Sequence, residues 1–248
     1  MISSPYSLEA AQHLLSFSQS CKIGSGDITY SDLIRFASEN FSEVLLATGA
    51  SNQNEVDAAI SWVKDQSKLI LMQCNTNYTS SHKDLIYQQL SVLNTWSKRY
   101  PRVTLGISCH MKNDIGVLAA IALGARVVEK HFTDDSNRSG PDHGFALEPP
   151  EFANMVQRGN EILAVCGSDL EKNVQPNELE TRILQRRSIH ASRDLEKGDR
   201  LVASDCTFLR PCPEDGIVPC RLDTLLGKVI NRPVSKGTML EYCYFDDI

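Results

Sequence analysis

The stretch ARVVEKHFTDDSNRSGPDHGFALEP, residues 125–149, decides how the whole chain is interpreted. A run of small and apolar residues breaks into the letters EKH, which end at His131, and a polar loop then leads to Asp142 and His143. Apolar runs of this length are typical of strands that are buried on both faces. The stretch therefore predicts a buried strand that delivers charged and imidazole side chains to one place.

Further apolar runs upstream have the same form, and amphipathic patterns separate them. The strand candidates are Cys21–Gly24, Val44–Thr48, Leu69–Gln73, Val103–Ser108 and Ala125–Glu129. The helix candidates are Ser31–Glu39, Gln53–Gln66, Lys83–Tyr100 and Asp114–Leu123. Repeated β-α units of this length predict parallel pairing and an α/β fold. The polar strand ends favour a barrel over a doubly wound sheet. A barrel binds its ligands where strands end in loops, whereas a doubly wound sheet usually carries a glycine-rich phosphate loop.

The pattern changes after a predicted helix over residues 151–170. The segment EKNVQPNELETRILQ, residues 171–185, is polar and predicts a linker. From residue 186 short β-like runs alternate with turn-forming pieces such as LEKGDR and PEDG. We therefore expect a first domain over residues 1–170, the linker, and a small β-rich domain over residues 186–248.

Composition excludes some classes of function. A net charge of −6 gives no basic face for nucleic acid, so an anionic ligand must be held by a local pocket. No apolar stretch is long enough to span a bilayer and the first residues do not form a signal peptide, so we expect a cytoplasmic protein without membrane contact. The eight cysteines are scattered without CxxC spacing, which favours reduced structural thiols over disulfides or a zinc site.

Five stretches of the chain resemble the sialic acid synthase family, whose members also make related nonulosonic acids. They are CKIGSGDI (21–28), LLATGAS (45–51), EKHFT (129–133), GPDHGFALEPPEF (140–152) and RRSIHASRDLEKGDRL (186–201). The resemblance implies an incomplete TIM (β/α) barrel of about five units, followed by a small antifreeze-like SAF domain. It also implies that ISSPYSLEAA follows the family's third barrel strand, so that the first strands of the barrel would be absent.

The resemblance implies condensation of phosphoenolpyruvate with an N-acetylated amino sugar, N-acetylmannosamine or a related 6-deoxy sugar, with release of phosphate. His110 and His131 correspond to the family's ligands for a divalent metal, Mn²⁺ or Mg²⁺, which acts as a Lewis acid on the sugar aldehyde. From spacing alone, two buried and satisfied histidines are the commoner interpretation.

Several residues correspond to the family's contacts with phosphoenolpyruvate. Lys22 ends a strand, and a buried lysine that faces a pocket pairs naturally with a phosphate or carboxylate. Ser25 follows in the loop, and Ser108 lies two residues before His110, on the same side of its strand. Looser correspondences are Ser4, Thr76 and Tyr78.

Two carboxylates and one arginine complete the implied site. Asp27 stands where the family usually has glutamate for proton transfer, and Asp142 corresponds to a carboxylate that contacts the sugar beside the metal. Arg187 corresponds to the arginine that reaches the sugar's acyl group across a homodimer, in which the SAF domain of one chain caps the barrel of the other. Alternatively, Asp142 is a turn aspartate and Arg187 a solvated surface residue.

Departures from the family pattern leave alternatives open. The family usually reads SDHT where this chain has SCHM, residues 108–111, so Cys109 is predicted to leave the metal histidine without its orienting partner. The chain could thus be a catalytically impaired relative that binds or regulates, or need a partner chain for the missing strands. A third alternative is that the chain is the product of a truncated reading frame, in which only the small domain is a stable unit. The unpaired edges of an open barrel also predict association.

Overall fold

The computed structural model of the protein describes residues 1–77, 82–168 and 170–246. The chain divides into two compact units, Met1–Ser168 and Asp169–Ile248. Each unit has an apolar core cluster of its own. Among the described residues, no helix combines the length and the apolar character needed to cross a bilayer.

The first unit is built on one sheet of six parallel strands in chain order. The strands are β1 (Ile2–Ser3), β2 (Ser20–Ile23), β3 (Glu43–Ala47), β4 (Leu69–Cys74), β5 (Thr104–Cys109) and β6 (Val127–Lys130). The predicted class, an incomplete parallel β/α barrel, is confirmed by this sheet. The additional strand is β1, whose two residues are too few to produce a periodic pattern.

Helices follow the strands and cover the outer side of the sheet. They are α1 (Leu8–Leu14), α2 (Ser31–Asn40), α3 (Gln53–Ser61), α4 (Val92–Arg99), α5 (Ile115–Ala122) and α6 (Pro149–Cys166). The helix predicted over residues 83–100 is wrong in its first half, which forms a 3₁₀ helix, His82–Tyr87. The helix predicted to start at Glu151 begins at Pro149, because Glu148 and Glu151 cap its first turn.

Strand alternation separates a helix side of the sheet from a concave side. Cys21 and Ile23 are fully buried in the large core cluster beneath the helices, so Lys22 between them faces the concave side. The concave side has a small apolar floor formed by residues from β3, β4 and β6, namely Leu45, Ile70, Met72 and Val127. The polar ends of the strands lie beyond this floor.

The second unit is small and rich in turns. Its elements are α7 (Leu179–Gln185), β7 (Ser188–Ala191), β8 (Cys206–Leu209) and α8 (Leu222–Leu225), and β7 pairs antiparallel with β8. The segment predicted as a linker instead contains α7, which follows a turn capped by Gln175 and Glu178. Among the short β-like runs of this unit, residues 228–231 form isolated bridges and not a strand.

All eight cysteines are free thiols, as the scattered spacing predicts. Burial raises the pKa of the Cys21 thiol to about 11, so its reactive thiolate is scarce at neutral pH. We expect a thiol reagent to modify the exposed Cys166, Cys220 and Cys243 in the native protein and Cys21 only after unfolding. Mass-spectrometric mapping of the labelled peptides tests this, and labelling of native Cys21 at the rate of the exposed thiols would contradict it.

Candidate functional site

A cross-sheet ion pair marks the concave side. Lys22 on β2 and Glu129 on β6 are separated by three intervening strands in the sheet order, yet Lys22 Nζ lies 2.5 Å from Glu129 Oε1. The sheet is therefore curled so that its distant strands face each other. The other carboxylate oxygen, Glu129 Oε2, is buried and has no hydrogen-bond partner among the described residues.

The position of Val127 shows which side chains of β6 face the site. This residue belongs to the concave floor, so Glu129 and His131, two and four residues later, face the same side. Lys130 faces the helices. The sequence alone leaves the roles of Glu129 and Lys130 open, and strand alternation counted from Val127 is the signal that resolves their directions.

Two imidazoles lie side by side at the ends of neighbouring strands. His110 follows β5 and His131 follows β6, and their ring centroids are 5.1 Å apart with an angle of 52° between the rings. Phe145 packs against both, with its centroid 6.2 Å from that of His110 and 4.8 Å from that of His131. This buried aromatic ring excludes water from one side of the pair.

The main chain of a neighbouring loop orients His110. Its Nδ1 lies 3.2 Å from the carbonyl oxygen of Asn75, and because a carbonyl only accepts, this bond places the proton on Nδ1. The Sγ of Cys74 lies 3.7 Å from the same nitrogen. The prediction that Cys109 leaves His110 without an orienting partner is thus wrong. Cys109 is buried on the helix side of β5, where alternation turns it away from His110.

Both imidazoles are neutral near pH 7. Burial lowers the pKa of His110, and the neighbouring His131 lowers it further. Burial also lowers the pKa of His131, and the carboxylate of Asp142 opposes this effect. Histidine pKa values below the ordinary value of about 6.5 keep both rings uncharged at neutral pH, which is the form that binds metals.

The loop after β6 brings a carboxylate to the imidazoles. Asp142 Oδ2 lies 4.0 Å from His131 Nδ1, and the Asp142 side chain is 58% exposed, so it can reach a ligand. His143 Nδ1 lies 2.7 Å from the hydroxyl of the buried Thr133, and this bond anchors the loop. His143 therefore has a structural contact.

Two loop hydroxyls meet at Gly49. Its backbone N–H donates to Ser25 Oγ over 3.0 Å. A Cβ atom at this position would overlap Thr76 Oγ1 and lie 2.8 Å from Ser25 Oγ. The hydroxyl of Thr76 is also 3.6 Å from Cys74 Sγ, which connects these hydroxyls to the partner of His110.

Replacing Gly49 with alanine is expected to lower the melting temperature. The added methyl group displaces Thr76 and Ser25, and overpacking of this kind typically costs about 1–3 kcal/mol. The matched control is Gly26→Ala, because a Cβ atom there meets no atom within 4 Å. Thermal unfolding followed by circular dichroism compares the two variants, and an equal effect of both would contradict the close approach at Gly49.

The two parts of the chain match known family models in chain order. Residues 1–171 match the NeuB family, and residues 186–242 match the SAF domain. The chain belongs to the NeuB family.

Curated and solved NeuB relatives support this assignment. The chain is 34% identical to the N,N'-diacetyllegionaminic acid synthase of Legionella pneumophila over 88% of its length, and spans 61% of that protein. It is 30% identical to the enzyme of the same name from Campylobacter jejuni, covering 96% of this chain and 71% of the relative. The crystal structure of N-acetylneuraminic acid synthetase from Leptospira borgpetersenii superposes with a TM-score of 0.66 at 30% identity, covering 72% of this chain and 61% of that one.

The remaining predicted residues of the NeuB unit lie on different elements. Ser108 is buried on β5, and its register partner on β6 is Glu129, which places it on the concave side. Asp27 ends the short 3₁₀ turn that starts at Ser25, and its carboxylate makes no hydrogen bond with the described residues. Ser4 lines a cavity of about 380 Å³ beside α1, together with Tyr6.

Tyr78 and Arg187 are the last two predicted residues. Tyr78 lies outside the described residues. Arg187 belongs to the second unit, where its Nη1 donates to the carbonyl oxygen of Phe208 over 2.6 Å. The site on the concave side joins Lys22 with the two imidazoles. It also includes Glu129, Phe145 and the Asn75 carbonyl, which the sequence alone does not assign to the site.

The imidazole pair fits a divalent ion with open coordination positions. No cluster of three or more His, Cys, Asp or Glu side chains suited to a metal occurs among the described residues. The neighbouring rings of His110 and His131 would supply two protein ligands. Both are neutral, and Glu129, whose charge raises the pKa of each ring, has a buried oxygen without a partner in the described part of the chain. Imidazole nitrogens suit divalent transition-metal ions, and oxygen donors and water suit Mn²⁺, so this mixed donor set is compatible with Mn²⁺ in a site that leaves positions for water or substrate.

Proposed function

We propose that this chain is a nonulosonate synthase that condenses phosphoenolpyruvate with an N-acetylated amino sugar and releases phosphate. Because the chain spans 61% of its Legionella relative, the proposal covers the chain alone or within a larger assembly. The observation that carries it is the shared concave surface on which Lys22 faces Glu129, whose charge also acts on the imidazoles of His110 and His131. A cation for the phosphate and a polarising centre for the aldehyde are what this reaction requires.

In the proposed reaction, the methylene carbon of phosphoenolpyruvate forms a bond to the aldehyde carbon of the open-chain sugar. The aldehyde oxygen takes up a proton, water adds to the carbon that bears the phosphate, and phosphate leaves as that carbon becomes a ketone. Lys22 and the hydroxyls of Ser25 and Ser108 would hold the phosphate and carboxylate of phosphoenolpyruvate by charge-assisted hydrogen bonds. Thr76, Tyr78 and Ser4 are proposed as further polar contacts.

His110 and His131 are proposed to hold a divalent ion, which would polarise the aldehyde oxygen when bound. Phe145 shields one side of the imidazole pair from water, which strengthens electrostatic interactions there. Asp142, beside His131, would orient the sugar hydroxyls. Asp27 would transfer a proton, with a reach one methylene shorter than that of a glutamate.

The sugar and the assembly are finer parts of the proposal. N-acetylmannosamine and the 6-deoxy precursors of legionaminic and pseudaminic acids are all candidate substrates, in line with the names of the relatives. A homodimer in which the SAF domain of one chain caps the sheet of the other would bring Arg187 to the acyl group. Arg187 retains guanidinium donors for this contact besides the one bonded to Phe208.

The direct test is phosphate release from phosphoenolpyruvate in the presence of Mn²⁺ or Mg²⁺ and each candidate sugar in turn. The expected result is release that depends on one sugar and on the divalent ion. Mixtures without sugar, or with N-acetylglucosamine, are the controls. If no sugar supports release at high enzyme concentration while calorimetry still detects binding of phosphoenolpyruvate, the chain is a binding protein and the proposed function is wrong.

A further inference from the structure

Lys130 is a buried cation on the side of β6 that faces away from the concave site. Lys130 is 9% exposed. Its ammonium donates to the carbonyl oxygen of Met111 and, over 3.1 Å, to that of Phe145. No carboxylate forms an ion pair with it among the described residues. A buried ammonium is tolerated only when hydrogen bonds replace its water, so these carbonyls hold the lysine in place.

The two carbonyls belong to segments that carry the site. Met111 directly follows His110, and Phe145 packs against both imidazoles. Lys130 itself directly precedes His131. One ammonium thus joins the end of β5, the end of β6 and the loop that contains Asp142.

We propose that Lys130 is a positioning residue that fixes the placement of the His110 and His131 imidazoles relative to each other. It acts through the carbonyls of Met111 and Phe145, because it points away from the concave side and cannot touch a ligand there. The expected effect on kcat rests on the proposed function, but the expected effect on the placement of the imidazoles does not.

The buried charge argues against a role in stability alone. Burial lowers the pKa of Lys130, because loss of water disfavours its charged form. Well-packed apolar side chains often replace buried ionic groups without loss of stability, so an apolar residue could fill this space. Apolar side chains cannot join two carbonyls from different loops, and this is the property that a positioning role requires.

The experiment compares Lys130→Met with Lys98→Met, a matched control at an exposed lysine on α4. Imidazole resonances of the full chain, labelled at histidine, are assigned with His110→Gln and His131→Gln and are recorded without substrate or metal. We expect Lys130→Met to shift or broaden the resonances of both histidines and to lower kcat about 10–100-fold, with the KM for phosphoenolpyruvate little changed. Lys130→Arg keeps a charged donor and is expected to restore part of the resonance positions and part of kcat. Lys98→Met is expected to leave both unchanged.

Unchanged imidazole resonances in a folded Lys130→Met protein would overturn the proposal, even if its melting temperature falls. Equal defects in Lys130→Met and Lys130→Arg would overturn it too, because they would indicate a packing effect. If Lys130→Met does not fold, Lys130→Gln, which keeps a neutral donor, is judged by the same resonances. If the unmodified chain shows no sugar-dependent phosphate release, the proposed function fails, and the resonances still decide the role of Lys130.

Discussion

Replacement of Lys22 with methionine is expected to lower kcat/KM for phosphoenolpyruvate by about 10²–10³-fold, the loss typical when one charge-stabilising donor is removed. Methionine keeps most of the length of the side chain but cannot bond an anion. Lys22 is the cation of the concave side that pairs with Glu129, so the substrate phosphate would lose its charged partner. Steady-state kinetics with phosphoenolpyruvate as the varied substrate gives the ratio.

Glu129 provides the control for this experiment. In Lys22→Met the carboxylate of Glu129 loses its ion pair, while its other oxygen already lacks a partner among the described residues. Part of the defect could therefore come from an uncompensated carboxylate. The double variant Lys22→Met with Glu129→Gln removes that charge, and we expect it to regain thermal stability but not activity. Recovery of kcat/KM in the double variant, or a value near that of the unmodified chain in Lys22→Met, would contradict a direct role of Lys22.

Addition of Mn²⁺ or Mg²⁺ is expected to raise the melting temperature of the unmodified chain, and His131→Ala is expected to abolish the rise. A ligand that binds only the folded state stabilises it by about 2.7 kcal/mol at about 100 times its Kd. His110 and His131 are the candidate protein ligands, and removal of one leaves a single imidazole. His110→Ala should act in the same way. The readout is differential scanning calorimetry with and without a chelator.

His13→Ala is the matched control for the metal experiment. His13 lies in the last turn of α1 and packs against Phe17, so its loss should leave the metal-dependent rise intact. An unchanged rise in His131→Ala would remove the metal assignment, because the ion would then bind elsewhere. A rise lost in all three variants would point to general destabilisation.

Acid is expected to remove the metal effect. The pKa values of His110 and His131 are lowered in the folded chain, so the unfolded chain binds protons first as the pH falls below about 6.5. Stability from the neutral rings is therefore present above that pH and is lost as the pH falls through the lowered values. Protonation also blocks the metal, so the metal-dependent rise should decrease in the same range.

Much of the sheet is predictable because apolar runs identify buried strands directly. β2 to β6 lie within a few residues of the runs that predict them. By contrast, β1 has two residues and α7 has seven, and neither is long enough for a periodic signal to stand out from a polar background. Their structure depends on pairing and packing with other segments.

The site is less predictable than the sheet, because its orienting contacts come from distant loops. Strand alternation separates Glu129 from Lys130, but only a known concave neighbour, Val127, shows which of them faces the site. The hydrogen bond from His110 to the Asn75 carbonyl joins residues 35 apart in the chain and involves no side chain of Asn75. Family-pattern reasoning at Cys109 fails for this reason, since the orienting partner is a main-chain oxygen of another loop.

The most direct test of the central claim is a reaction with phosphoenolpyruvate that carries an isotope label at its methylene carbon, followed by nuclear magnetic resonance. If the concave site that holds Lys22, His110 and His131 joins phosphoenolpyruvate to an amino sugar, the label will appear in a methylene group bonded to the former aldehyde carbon, and His131→Ala will prevent this. Label that stays in phosphoenolpyruvate, or that appears only in pyruvate with every sugar and divalent ion tried, would contradict the account.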